Sequence, residues 1–117
     1  MTLTEDAIDR LFARSEPAVR TLARTLIATA QELPDVVVDP KGTCIHLNRR
    51  VAFAGLHPRK TGVLLNLRTS APLESSRIRK TERLSANRYN NETLIESPAA
   101  LDAELRGWIA QAHALAA

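Results

Sequence analysis

Aromatic side chains are nearly missing from this 117-residue chain: one Trp, one Tyr and two Phe make up 3% of it. A core must therefore be built from Leu, Ile, Val and Ala, and recognition of single-stranded nucleic acid by base stacking lacks its usual platforms. Cysteine occurs once, at Cys44, which excludes an intramolecular disulfide and gives no sign of an oxidising compartment. No apolar run approaches the roughly 20 residues that span a bilayer. Thr4, Glu5 and Asp6 stand where a secretory signal would place basic and then apolar residues, so a cytoplasmic protein with no membrane attachment is expected. Neither Gly42 nor Gly62 belongs to a phosphate-loop pattern, which speaks against a nucleotide enzyme of that type.

What the chain does have is an uneven charge. Between Lys41 and Asn90 there are eleven basic residues and two acids, an excess of +9, while the rest of the chain carries five basic residues against eleven acids. Such a split concentrates positive potential on one part of the surface and implies an anionic partner rather than a fold. The overall balance, 44% hydrophobic and 25% charged, is that of a globular protein. The length fits one domain, read here as 1–117 with a helical N-terminal part at 1–33, a strand meander at 36–96 and a C-terminal helix at 97–116.

The elements follow from periodicity. Thr4 reads as an N-cap ahead of Ala7, Ile8, Leu11 and Phe12 at helical spacing. Ser15, Glu16 and Pro17 open a second helix whose stripe of Val19, Leu22, Leu26, Ile27 and Leu33 ends at Pro34. Short β-branched runs then predict strands at Val36 to Val38, Thr43 to Asn48, Val51 to His57 and Gly62 to Arg68, with Thr93 to Glu96 as a further candidate. Arg77 to Lys80 reads as a short edge strand or extended stretch. Gly62 is expected to supply backbone freedom in the turn after Pro58. Ser97 and Pro98 announce the last helix, with Leu101, Leu105, Trp108, Ile109 and Leu115 on its apolar side. The expected class is α+β, an antiparallel sheet of four to five strands with the N-terminal and C-terminal helices packed on one face.

The face left open is where function is sought. A two-residue turn at Arg49 and Arg50 pairs Asn48 with Val51, His46 with Phe53 and Cys44 with Gly55, and puts Ile45, Leu47, Ala52, Ala54 and Leu56 under the helices. Cys44, His46, Phe53 and His57 then share the open side as a candidate pocket. Three chemistries can be imagined there. Metal binding lacks any tight Cys-x-x-Cys or His-x-x-x-His spacing, and nucleophilic catalysis by Cys44 with His46 or His57 competes with the ordinary role of a lone strand cysteine as a small buried hydrophobe. An anion site made by Arg49, Arg50, Arg59, Lys60, Arg77, Arg79, Lys80 and Arg88 draws directly on the +9 segment. No metal and no cofactor is expected.

Cys44-Ile45-His46-Leu47, Val51-Ala52-Phe53-Ala54, His57-Pro58-Arg59-Lys60-Thr61-Gly62, Leu64-Leu65-Asn66-Leu67 and the closing Ser97-Pro98 segment through Trp108 are together similar to the bacterial family catalogued as domain of unknown function 5655. The resemblance runs from about Val36 to the C-terminus. It implies a compact α+β domain, sometimes attached to larger proteins including nuclease-like ones, with no established activity. Relatives carry a Gly-His pair and further glycines before the last strand. This chain reads Ser85-Ala86-Asn87-Arg88-Tyr89-Asn90-Asn91 there, so a role tied to those glycines and that histidine does not transfer, and the resemblance supplies no catalytic residue.

The functional expectation is a small non-enzymatic module whose basic surface binds nucleic acid or another polyanion through phosphate contacts. The alternatives are a protein-interaction or homodimerisation module, in which acidic end helices meet the basic face of another copy, and an enzyme using Cys44 with His46 or His57. The first reading requires the central cations to gather into one patch.

Overall fold

The computed structural model describes residues 3–117, with side chains described from Glu5 onward. Two helices, α1 (Leu3–Leu11) and α2 (Pro17–Gln31), precede the strands β1 (Val37–Pro40), β2 (Ile45–Asn48), β3 (Ala52–Pro58), β4 (Val63–Thr69), β5 (Ile78–Ser85) and β6 (Arg88–Ile95), and the chain ends in α3 (Ala103–Leu115). The strands form one antiparallel sheet in the order β1-β2-β3-β4-β6-β5.

Side-chain alternation divides the sheet into two faces. Through the register Ile45↔Leu56, Leu56↔Leu65, Ala54↔Leu67 and Val63↔Ile95 these residues share one face. They form a single buried cluster with Ile8 and Phe12 of the N-terminal segment, Val19, Leu22 and Leu26 of α2, and Leu105 and Ile109 of α3. Each fully buried Leu or Ile contributes roughly 1.5–3 kcal/mol of transfer free energy, which is how a chain with few aromatics builds its core.

The sheet has six strands where the sequence suggests four to five. The β5–β6 hairpin runs beyond the stretches read at Arg77 to Lys80 and Thr93 to Glu96, with β5 extending to Ser85 and β6 beginning at Arg88. Its signal is faint because nearly all of β5 is exposed at the sheet edge, while β6 buries Asn91 and Thr93 where an apolar alternation would be sought. Asn91 is tolerated because every polar group finds a partner: its Nδ2 donates to Leu67 O and Thr69 Oγ1, and its Oδ1 accepts from Leu73 N–H and Thr81 Oγ1.

The β2–β3 hairpin also departs from the expected register. Asn48 pairs with Ala52 and His46 with Gly55, with an irregularity between Leu47 and Asn48. The connection includes Val51, whose carbonyl accepts from Arg49 N–H at 3.0 Å. Phe53 thereby turns toward the helices, fully buried, its ring edge-on to His113 at 5.6 Å. Burying the larger apolar side chain favours this register over the one that pairs Phe53 with His46.

Three local expectations change as well. α1 begins at Leu3, so Thr4 sits inside its first turn and not at its cap; the Thr4 side chain lies outside the described residues. The expected helix over 97–116 is a 3₁₀ turn at Pro98–Ala100 followed by α3, which Asp102 caps by accepting from Leu105 N–H at 3.0 Å. Gly62 is required by proximity rather than by backbone freedom: a Cβ there would lie 2.5 Å from Ile95 O.

Candidate anion-binding site

The face opposite the buried cluster carries His46 and Asn48 from β2, Ala52, Gly55 and His57 from β3, Asn66 and Arg68 from β4, and Asn90 and Glu92 from β6, as the register requires. Gly55 leaves a gap in the middle. His46, His57, Asn66, Arg68 and Asn90 wall a depression of about 80 Å³ over it. A methyl group placed on Gly55 would sit 3.4 Å from His57 Nε2 and 3.9 Å from His46 Cδ2, so the two imidazoles lean over one glycine floor. His57 Nε2 lies 2.9 Å from Asn66 Nδ2. The amide donates and the ring nitrogen accepts, which places the ring proton of neutral His57 on Nδ1. Desolvation holds the His57 pKa below its ordinary value, as do the positive charges of Arg59 and His46, against the opposing pull of Glu92. Asn66 Oδ1 is buried without a hydrogen-bond partner, as is Asn48 Oδ1 on the same face.

Beside the depression, and sharing Ala52 and Arg68 with it, lies a groove of about 370 Å³ rimmed by Arg50, Arg68 and Arg88 over Val51, Phe53, Ala112 and Leu115. None of these three arginines forms an ion pair with an acid among the described residues. Arg68 is a site residue that charge counting alone does not single out. The alternation Leu65, Leu67 against Asn66, Arg68 already sends it to the open side.

The other candidate cations are distributed differently. Arg77 is committed internally: its Nη1 donates to Asp102 Oδ1 at 3.0 Å and Glu104 Oε1 at 3.1 Å, its Nη2 donates to Ala100 O at 2.7 Å, and its guanidinium lies 5.4 Å from the Trp108 ring centroid. Desolvation opposes the Arg77 charge, but these hydrogen bonds outweigh it and raise the pKa. Asp102 is held below the ordinary carboxylate range by the Leu105 N–H and then by Arg77. Arg49 is likewise structural. His113 Nε2 meets Pro34 O at 2.6 Å, and a carbonyl can only accept, so Nδ1 of a neutral His113 is the acceptor that Arg49 Nη1 approaches at 3.4 Å. Arg49 also donates to His113 O at 3.3 Å, which ties the hairpin to α3.

Arg79 and Lys80 lie exposed on β5, with Lys80 Nζ 4.0 Å from Glu82. Arg59 and Lys60 sit in the turn after β3, at the far end of that strand from Arg50. β3 has seven residues, which at strand rise puts its two ends about 20 Å apart. There Arg59 and Lys60 line a second groove of about 740 Å³ with Arg10 and Arg14, two cations outside the basic central segment. The central cations thus do not gather into the one patch that the basic-surface expectation requires: Arg50, Arg68 and Arg88 rim one groove, Arg59 and Lys60 line another, Arg79 and Lys80 lie on the exposed edge strand, and Arg49 and Arg77 are tied to residues of the C-terminal segment.

Of the expected pocket residues, His46 and His57 meet over Gly55. Phe53 faces the helices, and Cys44 is buried and does not wall the depression. Among the described residues no group of three or more His, Cys, Asp or Glu side chains is placed to hold a metal ion. None of the described helices is long and apolar enough to cross a membrane.

The model of a family described as "Domain of unknown function (DUF5655)" matches residues 8–116. No curated protein and no solved structure matches the chain.

Proposed function

The chain belongs to the domain of unknown function 5655 family, whose description assigns no activity, and from the geometry we propose that it is a non-enzymatic module that binds the phosphate backbone of nucleic acid. Residues of α2 and α3 share the buried cluster with Ile45 and Leu65, and the groove offered to a ligand lies where the sheet meets the end of α3, over Phe53, Ala112 and Leu115. The observation that carries the reading is the set Arg50, Arg68 and Arg88, which rim one groove and have no acidic partner among the described residues. Guanidinium groups in that state are suited to bidentate contacts with phosphate oxygens. The side-chain inventory favours backbone over base recognition, since the Arg77 guanidinium lies over the Trp108 ring and no Phe, Tyr or Trp lines the depression.

A labelled duplex oligonucleotide titrated at two salt concentrations tests this. Three phosphate contacts give a log–log slope of about −2.7, a fall in affinity of roughly 40-fold between ~50 and ~200 mM salt. Arg68→Glu is expected to weaken binding and flatten the slope, and Arg77→Glu to leave the slope unchanged. Absence of binding at the lower salt, or binding indifferent to salt, overturns the reading. Sedimentation of the free chain examines the dimerisation alternative, since a tight dimer that buries Arg50, Arg68 and Arg88 leaves no groove for a phosphate chain.

A further inference from the structure

We propose that the depression over Gly55 is a proton-linked oxyanion subsite, in which one phosphate group rests on the glycine floor between His46 and His57, with Arg68 as a further donor. This deepens the nucleic-acid reading and rests on it for the source of the phosphate. A volume of about 80 Å³ is well below the roughly 300 Å³ at which drug-sized pockets begin, so the occupant is a group of a few heavy atoms and not a base. The walls offer two imidazoles, a guanidinium and two carboxamides. A charged ligand that accepts hydrogen bonds suits all of them once the rings are protonated. The glycine is what makes room: any side chain at this position projects into the space between the two rings.

The coupling to protons comes from the His57–Asn66 pair. In the neutral state Asn66 Nδ2 donates to His57 Nε2 and leaves Asn66 Oδ1 buried with no partner. When Nε2 takes up a proton it becomes a donor, and rotation of the amide by half a turn lets Oδ1 accept from it. The previously orphaned acceptor is then satisfied by the imidazolium, and Nδ2 takes the buried position that Oδ1 held. Besides desolvation, the charged groups around His57 act in both directions: Arg59 from the β3–β4 turn and His46 from β2 disfavour the imidazolium, and Glu92 from β6 favours it, while Arg68 from β4 is a further cation lining the depression. A bound anion, singly charged for a backbone phosphodiester and doubly charged for sulfate, shifts the balance toward the imidazolium. Anion binding and proton uptake therefore strengthen each other, as linkage requires.

The test uses the full chain and sulfate, an anion whose own charge is constant over the range in which histidine titrates. Imidazole resonances are followed by NMR at pH values from about 5.5 to 8. Sulfate is expected to raise the His57 pKa and to bind about tenfold more tightly at the low end, the equivalent of one pKa unit. His57→Gln is expected to abolish the pH dependence, and Gly55→Val to abolish sulfate binding, with each variant's fold checked by its amide spectrum. Sulfate shifts confined to arginine side chains, or a pH dependence that survives His57→Gln, overturn the proposal.

Two further arms identify the source of the phosphate. A duplex oligonucleotide whose affinity at fixed salt rises as pH falls, and loses that rise in His57→Gln, assigns the subsite to the nucleic-acid backbone. Sulfate and inorganic phosphate acting on His57 while oligonucleotide affinity ignores pH assigns it to a free phosphate. Oligonucleotide binding with the expected salt slope but no anion effect on His46 or His57 overturns the subsite alone and leaves the groove reading standing.

Discussion

From Ala54 to His57 the chain changes purpose with every residue. Leu56 goes under the helices with no exposed surface, while its neighbours Gly55 and His57 belong to the other side, one as the floor of a depression and the other as its wall. β4 repeats the division, with Leu65 and Leu67 inward and Asn66 and Arg68 outward. Inward residues are held by shape and by removal from water, so their value lies in volume. Outward residues keep unused hydrogen-bonding capacity, so their value lies in what they leave unsatisfied. The same strands thus carry stability on one face and the candidate chemistry on the other, and substitutions one residue apart are expected to separate the two properties.

The largest expected effect is Leu65→Ala. Leu65 is 1% exposed at the centre of the sheet, and truncation leaves a cavity that costs about 2–5 kcal/mol, read as a lowered urea midpoint. Asn66→Ala, next door, is expected to change stability by less than about 1 kcal/mol while it alters the His57 resonance. If the two variants unfold alike, the division of labour between the faces is wrong.

Gly62 and Gly55 sharpen the comparison with a smaller effect. A Cβ on Gly62 meets the Ile95 carbonyl oxygen at 2.5 Å, and a carbonyl paired in a sheet cannot move aside without β6. Gly62→Ala is expected to cost about 2–3 kcal/mol through overpacking. At Gly55 the nearest contact is 3.4 Å, to a side chain on the open face, and Gly55→Ala is expected to be nearly neutral in the same denaturation experiment. Equal costs would mean that the depression is as tightly specified as the core.

How much of this was legible in the sequence follows from the same division. Wherever one face is apolar and the other polar, as in Gly62 to Arg68, alternation gives both the strand and the outward direction of Asn66 and Arg68. It fails where burial is not apolar. Asn91 and Thr93 are buried through hydrogen bonds and long-range pairing, so β6 carries no hydrophobic alternation, and β5, almost wholly exposed at the edge, gives none either. The β2–β3 register was out of reach for another reason. It depends on Phe53 finding His113 and the helices, a contact about sixty residues away in sequence. Charge counting located the cationic third of the chain but could not distinguish Arg77, clamped by Asp102 and Glu104, from Arg88, which has no acid beside it. That difference is made by α3 and exists only after folding.

The smallest expected effect belongs to the open face alone. The folded-state pKa of His57 is depressed, so between that value and the unfolded one, about 6.5, the unfolded chain binds more protons than the folded one. Stability contributed by neutral His57 is therefore fully present above the unfolded pKa and declines as pH falls through it toward the folded value. Urea midpoints measured across this window are expected to fall with pH in the native chain and to lose this His57 contribution in His57→Gln. Added sulfate supplies the discriminating step, because an anion seated over Gly55 restores the charged ring's partner and raises the folded pKa. The slope then flattens in the native sequence and is untouched in Gly55→Val. A slope that ignores sulfate would show that the depressed pKa is only a consequence of burial, and that the two imidazoles share a floor without sharing a ligand.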